Sequence, residues 1–314
     1  YPLNWTTAWT GTELLRVLLF VNHSSILYEW SGATATIAGD ASVVAGTITI
    51  QETIATRGFL TAGTRSIRIK DSGGTWRETV YTGQSGSAFT VSTDLSAFTF
   101  SDNAPVVQVV RTNANAPASG FTNDLIRTLQ NHVYIGSLSS SIVYMSKSTD
   151  YTAFIFSSPR IPTEGWQFLL DDFCIGFETN IAQGVEESMV MFAGSDWIYR
   201  VEFQQLGDTS VVETAKVKPI IVSSGQGAVA QGLISKVKNS ILFINGYNEL
   251  VELGIFENQA TIAQTPISDP IKPDFIDADF TGGQIRFWRN NLYVTAPVSG
   301  KTFILAFRED EKGT

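Results

Sequence analysis

Five short segments of the chain share one pattern of apolar and polar positions, in which two apolar runs flank a polar or glycine-containing turn. The runs are rich in β-branched and aromatic residues, which favour strands, and the turns contain Asn, Gly or Asp, which tolerate a positive φ. The pattern therefore predicts β-hairpins. The five segments are 18–28, 133–144, 189–199, 241–251 and 285–294.

The spacing of these hairpins predicts a repeated architecture. They begin near residues 18, 133, 189, 241 and 285, so the last three intervals are about 56, 52 and 44 residues. Such intervals match the roughly 40 to 50 residues of a four-stranded propeller blade. We therefore expect an all-β fold, a propeller-like array of about five to seven antiparallel sheets around an axis. Strand-like runs between the hairpins supply the remaining strands: 173–177, 199–203, 211–212, 219–222 and 303–307.

The first interval, about 115 residues, is too long for one repeat and predicts an insertion. Residues 40–118 are expected to form a small inserted β domain, and residues 1–39 and 119–314 the propeller-like body. Gly39–Gly46 and Asn113–Gly120 are predicted as the two connections, because both are rich in turn-forming residues. The predicted strands of the insertion are 66–70, 75–81, 88–91 and 105–111.

Helix is expected to be scarce. Residues 121–131 fit a short helix with Leu125, Ile126 and Leu129 on one face. A second candidate is 228–238, and 273–280 fits a single turn.

Composition narrows the possible functions. The chain has 314 residues, of which 43% are hydrophobic and 16% charged, with a net charge of −9. This charge opposes binding to nucleic acid, which depends on Lys and Arg neutralising phosphates. No apolar run approaches the roughly 20 residues of a membrane-spanning helix. The single cysteine, Cys174, excludes an intrachain disulfide, and its apolar neighbours predict a buried, inert thiol in a protein that folds in a reducing compartment.

Two short motifs resemble known functional strings. Gly225–Ala230 reads G-x-G-x-x-A, which in a dinucleotide-binding fold would approach a pyrophosphate at a helix N-terminus. Hairpins rather than alternating strands and helices surround it, so we interpret it as a glycine-rich connection. Asp71–Trp76 resembles the end of the Asp-box of sialidase-like propellers, where the motif is structural, and it is expected to form a turn that orients Trp76.

No catalytic, cofactor-binding or metal-binding residue is assigned from the sequence, and the protein is not expected to be an enzyme. The 30 Asp and Glu residues contain no local signature of a glycosidase pair, and no G-x-S-x-G elbow occurs. His23 and His132 are expected to be hydrogen-bonded near turns. An oxygen-rich set that would suit calcium is interpreted as a solvated loop, since it lacks an EF-hand pattern: Asp269, Asp274, Asp277 and Asp279.

Several stretches resemble tail proteins of double-stranded DNA bacteriophages, in particular the β-propeller nozzle components of short-tailed phages. The resemblance covers roughly residues 121–310. It depends on Asn131–Gly136, Val143–Lys147, Asp150–Phe154, Asn239–Leu253, Ser268–Lys272 and Asn291–Pro297.

The resemblance implies a structural virion protein of the tail, assembled in the host cytoplasm. Such a subunit would form a ring, usually of six or twelve copies, contact an adaptor ring or fibres, and let DNA pass without specific binding. The sequence leaves two alternatives open. One is a propeller that binds or cleaves host-surface glycans, with several tryptophans and two carboxylates in one cleft. The other is a cellular propeller scaffold.

Overall fold

A computed structural model describes residues 4–9, 16–60, 65–113, 117, 121–129, 132–147, 154, 165–182, 185–205, 213–222, 225–237, 240–256, 259–262 and 266–306. These residues form antiparallel sheets and little helix, which confirms the all-β prediction. The strands up to residue 113 are β1 (Asn4–Trp9), β2 (Arg16–Val21), β3 (Leu27–Trp30), β4 (Thr34–Ala38), β5 (Val43–Val44), β6 (Thr47–Thr49), β7 (Arg65–Lys70), β8 (Trp76–Ser85), β9 (Ala88–Val91), β10 (Asp102–Gln108) and β11 (Arg111–Asn113).

The later strands are β12 (Leu125–Leu129), β13 (His132–Gly136), β14 (Ile142–Met145), β15 (Trp166–Leu169), β16 (Cys174–Ala182), β17 (Val185–Ala193), β18 (Trp197–Gln205), β19 (Glu213–Val222), β20 (Ile234–Val237), β21 (Ser240–Ile244), β22 (Leu250–Phe256), β23 (Gln259–Ile262), β24 (Gln284–Trp288), β25 (Asn291–Ala296) and β26 (Lys301–Ala306). The helices are α1 (Ile54–Arg57) and α2 (Lys272–Ile276), with 3-10 turns at Asp40–Ser42, Gln231–Leu233 and Asp269–Ile271.

Five sheets repeat one design, in which consecutive strands lie side by side. We call them sheets I to V: β1-β2-β3-β11, β12 to β15, β16 to β19, β20 to β23, and the three-stranded β24 to β26. Four of the five predicted hairpins are the second and third strands of sheets I to IV. The fifth is the first and second strand of sheet V, which explains why the last interval is the shortest.

The five sheets pack on one another in chain order. The first strand of each sheet contacts the first strand of the next: β1 contacts β12, β12 contacts β16, β16 contacts β20, and β20 contacts β24. A separate apolar cluster fills each of the four interfaces between consecutive sheets. The repeat of the sequence is therefore a repeat of stacked sheets.

The middle sheets are apolar on both faces because each face belongs to a different interface. In β13, Val133 and Ile135 pack against sheet I, whereas Tyr134 packs against sheet III. In β17, Met191 faces sheet II and Phe192 faces sheet IV. This arrangement accounts for the continuous apolar runs in the predicted hairpins, since alternating side chains all become buried.

The chain segment between the third and fourth strands of sheet I forms a separate seven-stranded sheet, which we call the insert sheet. Its strand order is β4-β10-β7-β8-β9-β6-β5, and its core uses residues 33–106. It begins at Thr34, so the predicted connection at Gly39–Gly46 lies within the sheet instead of before it. The chain then returns to sheet I, where Arg111 of β11 pairs with Glu29 of β3.

Two of the predicted helices are wrong. Residues 125–129 form β12, in which Leu125 and Leu129 face sheet III while Ile126 faces sheet I. A helical face would leave one of these interfaces unfilled, so tertiary packing overrides the local pattern. Residues 228–238 contain a 3-10 turn followed by β20, whereas the predicted turn near 273–280 is present as α2. Val211 and Val212 lie outside the described residues.

Candidate functional surfaces

Polar side chains of the first strands meet one another at each of the first three interfaces. Thr6 donates to Thr128 at 3.0 Å between β1 and β12. Arg127 of β12 forms an ion pair with Glu178 of β16. Lys236 of β20 donates to Thr179 of β16 at 2.8 Å. We call this set, Thr6, Arg127, Thr128, Glu178, Thr179 and Lys236, the axial strip.

Glu178 is the buried carboxylate of the axial strip. Its side chain is only 3% exposed, and its carboxylate accepts hydrogen bonds from Arg127 and from the Thr179 amide. These donors compensate the cost of burying a carboxylate. These contacts join the first strands of neighbouring sheets directly, from sheet I to sheet IV.

A second repeated feature joins each sheet to the next. The segment that enters a sheet bonds to a turn of the preceding sheet, and we call these contacts the turn stitches. The Asn123 amide donates to the Ser24 carbonyl, Cys174 to Ser140, and Gly227 to Ser195. At the last junction, the Asn248 side chain of sheet IV donates to the carbonyl of Ile276 at 3.2 Å.

The turn stitches explain the G-x-G-x-x-A string. Gly225 has a φ of +71°, which favours glycine, and its amide donates to Asp196. A Cβ at Gly227 would lie 2.6 Å from the Ser195 carbonyl carbon. Both amides are bonded within the protein, and a 3-10 turn and strand follow instead of a helix. The glycines therefore allow two loops to approach each other closely, and we do not interpret them as a phosphate-binding loop.

His23 lies in the turn between β2 and β3 and contacts Asp124, the residue before β12. Its Nδ1 is 2.5 Å from one carboxylate oxygen of Asp124, and Ser137 donates to the other at 3.1 Å. The carboxylate lies between the imidazole and the hydroxyl, whereas a hydrolase triad needs the imidazole between them. This cluster joins sheets I and II. His132 is buried, with its Nδ1 2.7 Å from the Ser146 carbonyl oxygen.

The acidic loop between sheets IV and V lies beside an open cleft of about 540 Å³ that includes Asp277 and Asp279 in its lining. The Asp279 carboxylate accepts the Thr281 amide, which lowers its pKa. Asp274 lies 3.6 Å from the Lys301 ammonium. Within the described ranges, no three His, Cys, Asp or Glu side chains come together as metal ligands.

The Asp71–Trp76 motif forms the turn between β7 and β8. The Asp71 carboxylate accepts the Thr75 amide at 2.7 Å, and this bond is the main reason for its lowered pKa; the Arg77 guanidinium adds to the effect. Trp76 is 44% exposed, so the turn orients the ring toward solvent. Cys174 is fully buried, and burial raises the pKa of its thiol.

Three exposed tryptophans, Trp5, Trp30 and Trp288, lie on the outward faces of the two end sheets. On sheet I this face, the sheet I face, carries Trp5, Leu18, Phe20, Tyr28 and Trp30. On sheet V it carries Arg286, Trp288, Tyr293 and Ile304, which we call the sheet V face. The alternation of Leu18 and Phe20 with fully buried neighbours signals a second apolar face in β2. Sequence reasoning missed it by treating the hairpins as equivalent.

In comparisons with known proteins, no protein-family model and no curated protein matches the chain. In the part of the chain that the structure describes, neither helix has the length and apolar character needed to cross a bilayer.

Proposed function

We propose that this protein is a non-enzymatic structural subunit of a bacteriophage tail, which assembles with copies of itself into a ring around the DNA channel. The observation that carries the proposal is the stack of sheets I to V with successive first strands in contact. Inner strands have this relationship in a β-propeller, and the resemblance to tail nozzle proteins implies the same architecture.

Stiffness supports a mechanical role. Each pair of consecutive sheets is joined by an apolar core, by turn stitches and, at the first three junctions, by a contact of the axial strip. Buried, hydrogen-bonded junctions resist bending because every opening would expose both apolar surface and unpaired polar groups. A wall that guides DNA under load needs this property.

The axial strip supports a channel between copies rather than a channel within one copy. Since Thr6, Arg127, Glu178 and Lys236 make direct contacts across the first strands, we place the channel between copies in the ring. The net charge of −9 suits a wall along which phosphates slide without being neutralised.

The experiment is detection of the chain in purified virions by mass spectrometry, followed by labelling with gold-conjugated antibody. The proposal expects label at the tail. Absence of the chain from intact virions, or label on the capsid alone, would overturn it.

A second candidate, a glycan-binding propeller, is favoured by Trp5 and Trp30 on one exposed face, because aromatic faces stack on sugar rings. The nearby Glu29 is 1% exposed, so it is not available as a surface acid. This candidate predicts retention on a glycan array that is lost in Trp30→Ala. A tail-wall subunit predicts no retention.

A further inference from the structure

The outward face of sheet I is rich in aromatic side chains. Strand register places Trp5 opposite Phe20, Phe20 opposite Tyr28, and Leu18 opposite Trp30. The Phe20 and Tyr28 rings stack with centroids 5.0 Å apart and planes 5° from parallel. Trp5 and Trp30 are nevertheless 60% and 41% exposed. A face of this composition is normally covered in a folded protein.

The outward face of sheet V, at the opposite end of the stack, combines the apolar side chains of Trp288, Tyr293 and Ile304 with polar side chains and the cation Arg286. Tyr293 lies opposite both Arg286 and Ile304. Trp288 and Ile304 are 57% and 62% exposed, and the Arg289 guanidinium lies 4.3 Å from the centre of the Trp288 ring.

Within the chain, sheets II, III and IV each place one face on the preceding sheet and the other face on the next. Among the described residues, none of the five sheets covers the outward face of sheet I or that of sheet V, so these two faces correspond to the two sides of the interface that the sheets repeat within the chain. They are also chemically complementary, because the Arg286 guanidinium of the sheet V face can bind over a Trp or Tyr ring of the sheet I face.

We propose that the sheet V face of one copy packs on the sheet I face of the next copy. The contact is heterologous, and repetition closes into a ring when the rotation between copies divides a full turn. The inference rests on the ring assembly proposed above and identifies the surfaces that would form it.

The size of the two faces indicates a contact that is weak singly and strong in a closed ring. Sheet V has three strands of five or six residues and covers about 14 Å by 19 Å, and sheet I, with strands of six, six, four and three residues, covers a similar area. The two faces together therefore contribute about 600 Å² of backbone plane. Stable interfaces usually bury roughly 1,200–2,000 Å² in total. A closed ring gives each copy two such contacts, and both must break before a subunit leaves.

The test uses two variants of the full chain, each with one face disrupted. The sheet I variant carries Trp5→Glu and Trp30→Glu, and the sheet V variant carries Trp288→Glu and Ile304→Glu. The control is Trp76→Glu, which changes a tryptophan of similar exposure on the insert sheet. Sedimentation velocity across a concentration series measures assembly, and circular dichroism establishes that each variant is folded.

Wild type and the control should form a closed oligomer, and each face variant alone should be monomeric. An equimolar mixture of the two variants should form one-to-one dimers at the top of the concentration series, because each variant retains the face that the other has lost and a single contact is weak. If a glutamate variant does not fold, Trp30→Ser and Ile304→Ser replace the double substitutions.

Three results would overturn the inference: a wild-type chain that stays monomeric at every concentration, face variants that assemble like wild type, or a mixture that remains monomeric at every concentration. Rings that persist in both variants leave the tail role intact and reject only these surfaces. The tail role itself is judged by detection in virions, so the two failures are distinguishable.

Discussion

The amide of Gly227 donates to the carbonyl of Ser195 across a distance of 2.5 Å, and this bond joins the loop entering sheet IV to the turn of sheet III. Gly227 is buried, and the approach is so close that a side chain at this position would meet the Ser195 backbone. The stack of sheets therefore depends on glycine at a position where the sequence alone resembles a nucleotide motif.

Gly227→Ala should lower the free energy of unfolding by about 1–3 kcal/mol, the usual cost of overpacking a tight contact. The backbone of Ser195 cannot yield as a flexible side chain would, so the bond between the loops should lengthen. Urea unfolding measures the effect. Gly83→Ala is the matched control, since its Cβ would meet Thr90 at an ordinary 3.5 Å. Equal losses in both variants would reject this role of Gly227.

Removing Arg127 should destabilise the protein through the carboxylate that it leaves behind. Arg127→Met leaves the buried Glu178 carboxylate without its ion-pair partner. Breaking a buried ion pair in this way typically lowers the free energy of unfolding by about 3–5 kcal/mol. Because the Arg127 side chain is 35% exposed, solvent screening reduces this cost, and we expect the free energy of unfolding to fall by about 2–4 kcal/mol. Adding Glu178→Gln to Arg127→Met should recover part of the loss in urea unfolding.

The control for Arg127 is Arg68→Met, which breaks an ion pair with Glu78 whose partners are 51% and 42% exposed. Such pairs contribute at most about 1 kcal/mol. A loss at Arg127 no larger than at Arg68, or no recovery on adding Glu178→Gln, would show that the axial strip does not tie sheets II and III together.

Asp196 should make stability fall in acid. Its carboxylate accepts the Gly225 amide and the Ser195 hydroxyl, and these bonds, the amide first, lower its pKa below the ordinary 3.8. A pKa lowered in the folded state contributes stability that is present above the unfolded value and is lost as pH falls through the folded value. The urea midpoint should therefore decline below about pH 4, less steeply in Asp196→Asn. Asp277→Asn, at an exposed position, should keep the wild-type slope; identical slopes in all three proteins would contradict the assignment.

The sequence predicts local pairing well and long-range pairing poorly. The hairpins were predictable because turn residues and strand residues alternate within a dozen positions. The pairing of β3 with β11 was not predictable, because β11 follows about 80 residues later, after the insert sheet, and only three of its residues pair with β3. The contact of His23 with Asp124 joins residues 101 positions apart. β12 was misread as a helix because its Leu and Ile spacing fits both a helical face and a strand buried on two sides.

The sheet I and sheet V faces were not predictable from the sequence either, because they depend on which sheets lie at the ends of the stack. The pattern of β2, with buried and half-exposed residues alternating, differs from the fully buried β13. Only the order of the sheets shows that this difference marks the ends of a stack.

Leu60 connects the insert sheet to the body. Truncating its side chain should destabilise the body without destabilising the insert sheet. Its side chain is 2% exposed and belongs to the core between sheets I and II, while its carbonyl accepts Tyr81 and its amide donates to Gln108 of the insert. Leu60→Ala should cost about 2–5 kcal/mol. Because the insert core does not include Leu60, hydrogen exchange should accelerate in β2 and β13 but not in β7 to β9. Leu169→Ala, at a site 73% exposed, should change neither. Equal acceleration in the body and the insert sheet would mean that they unfold as one unit, and the inserted segment would then not be an independent domain.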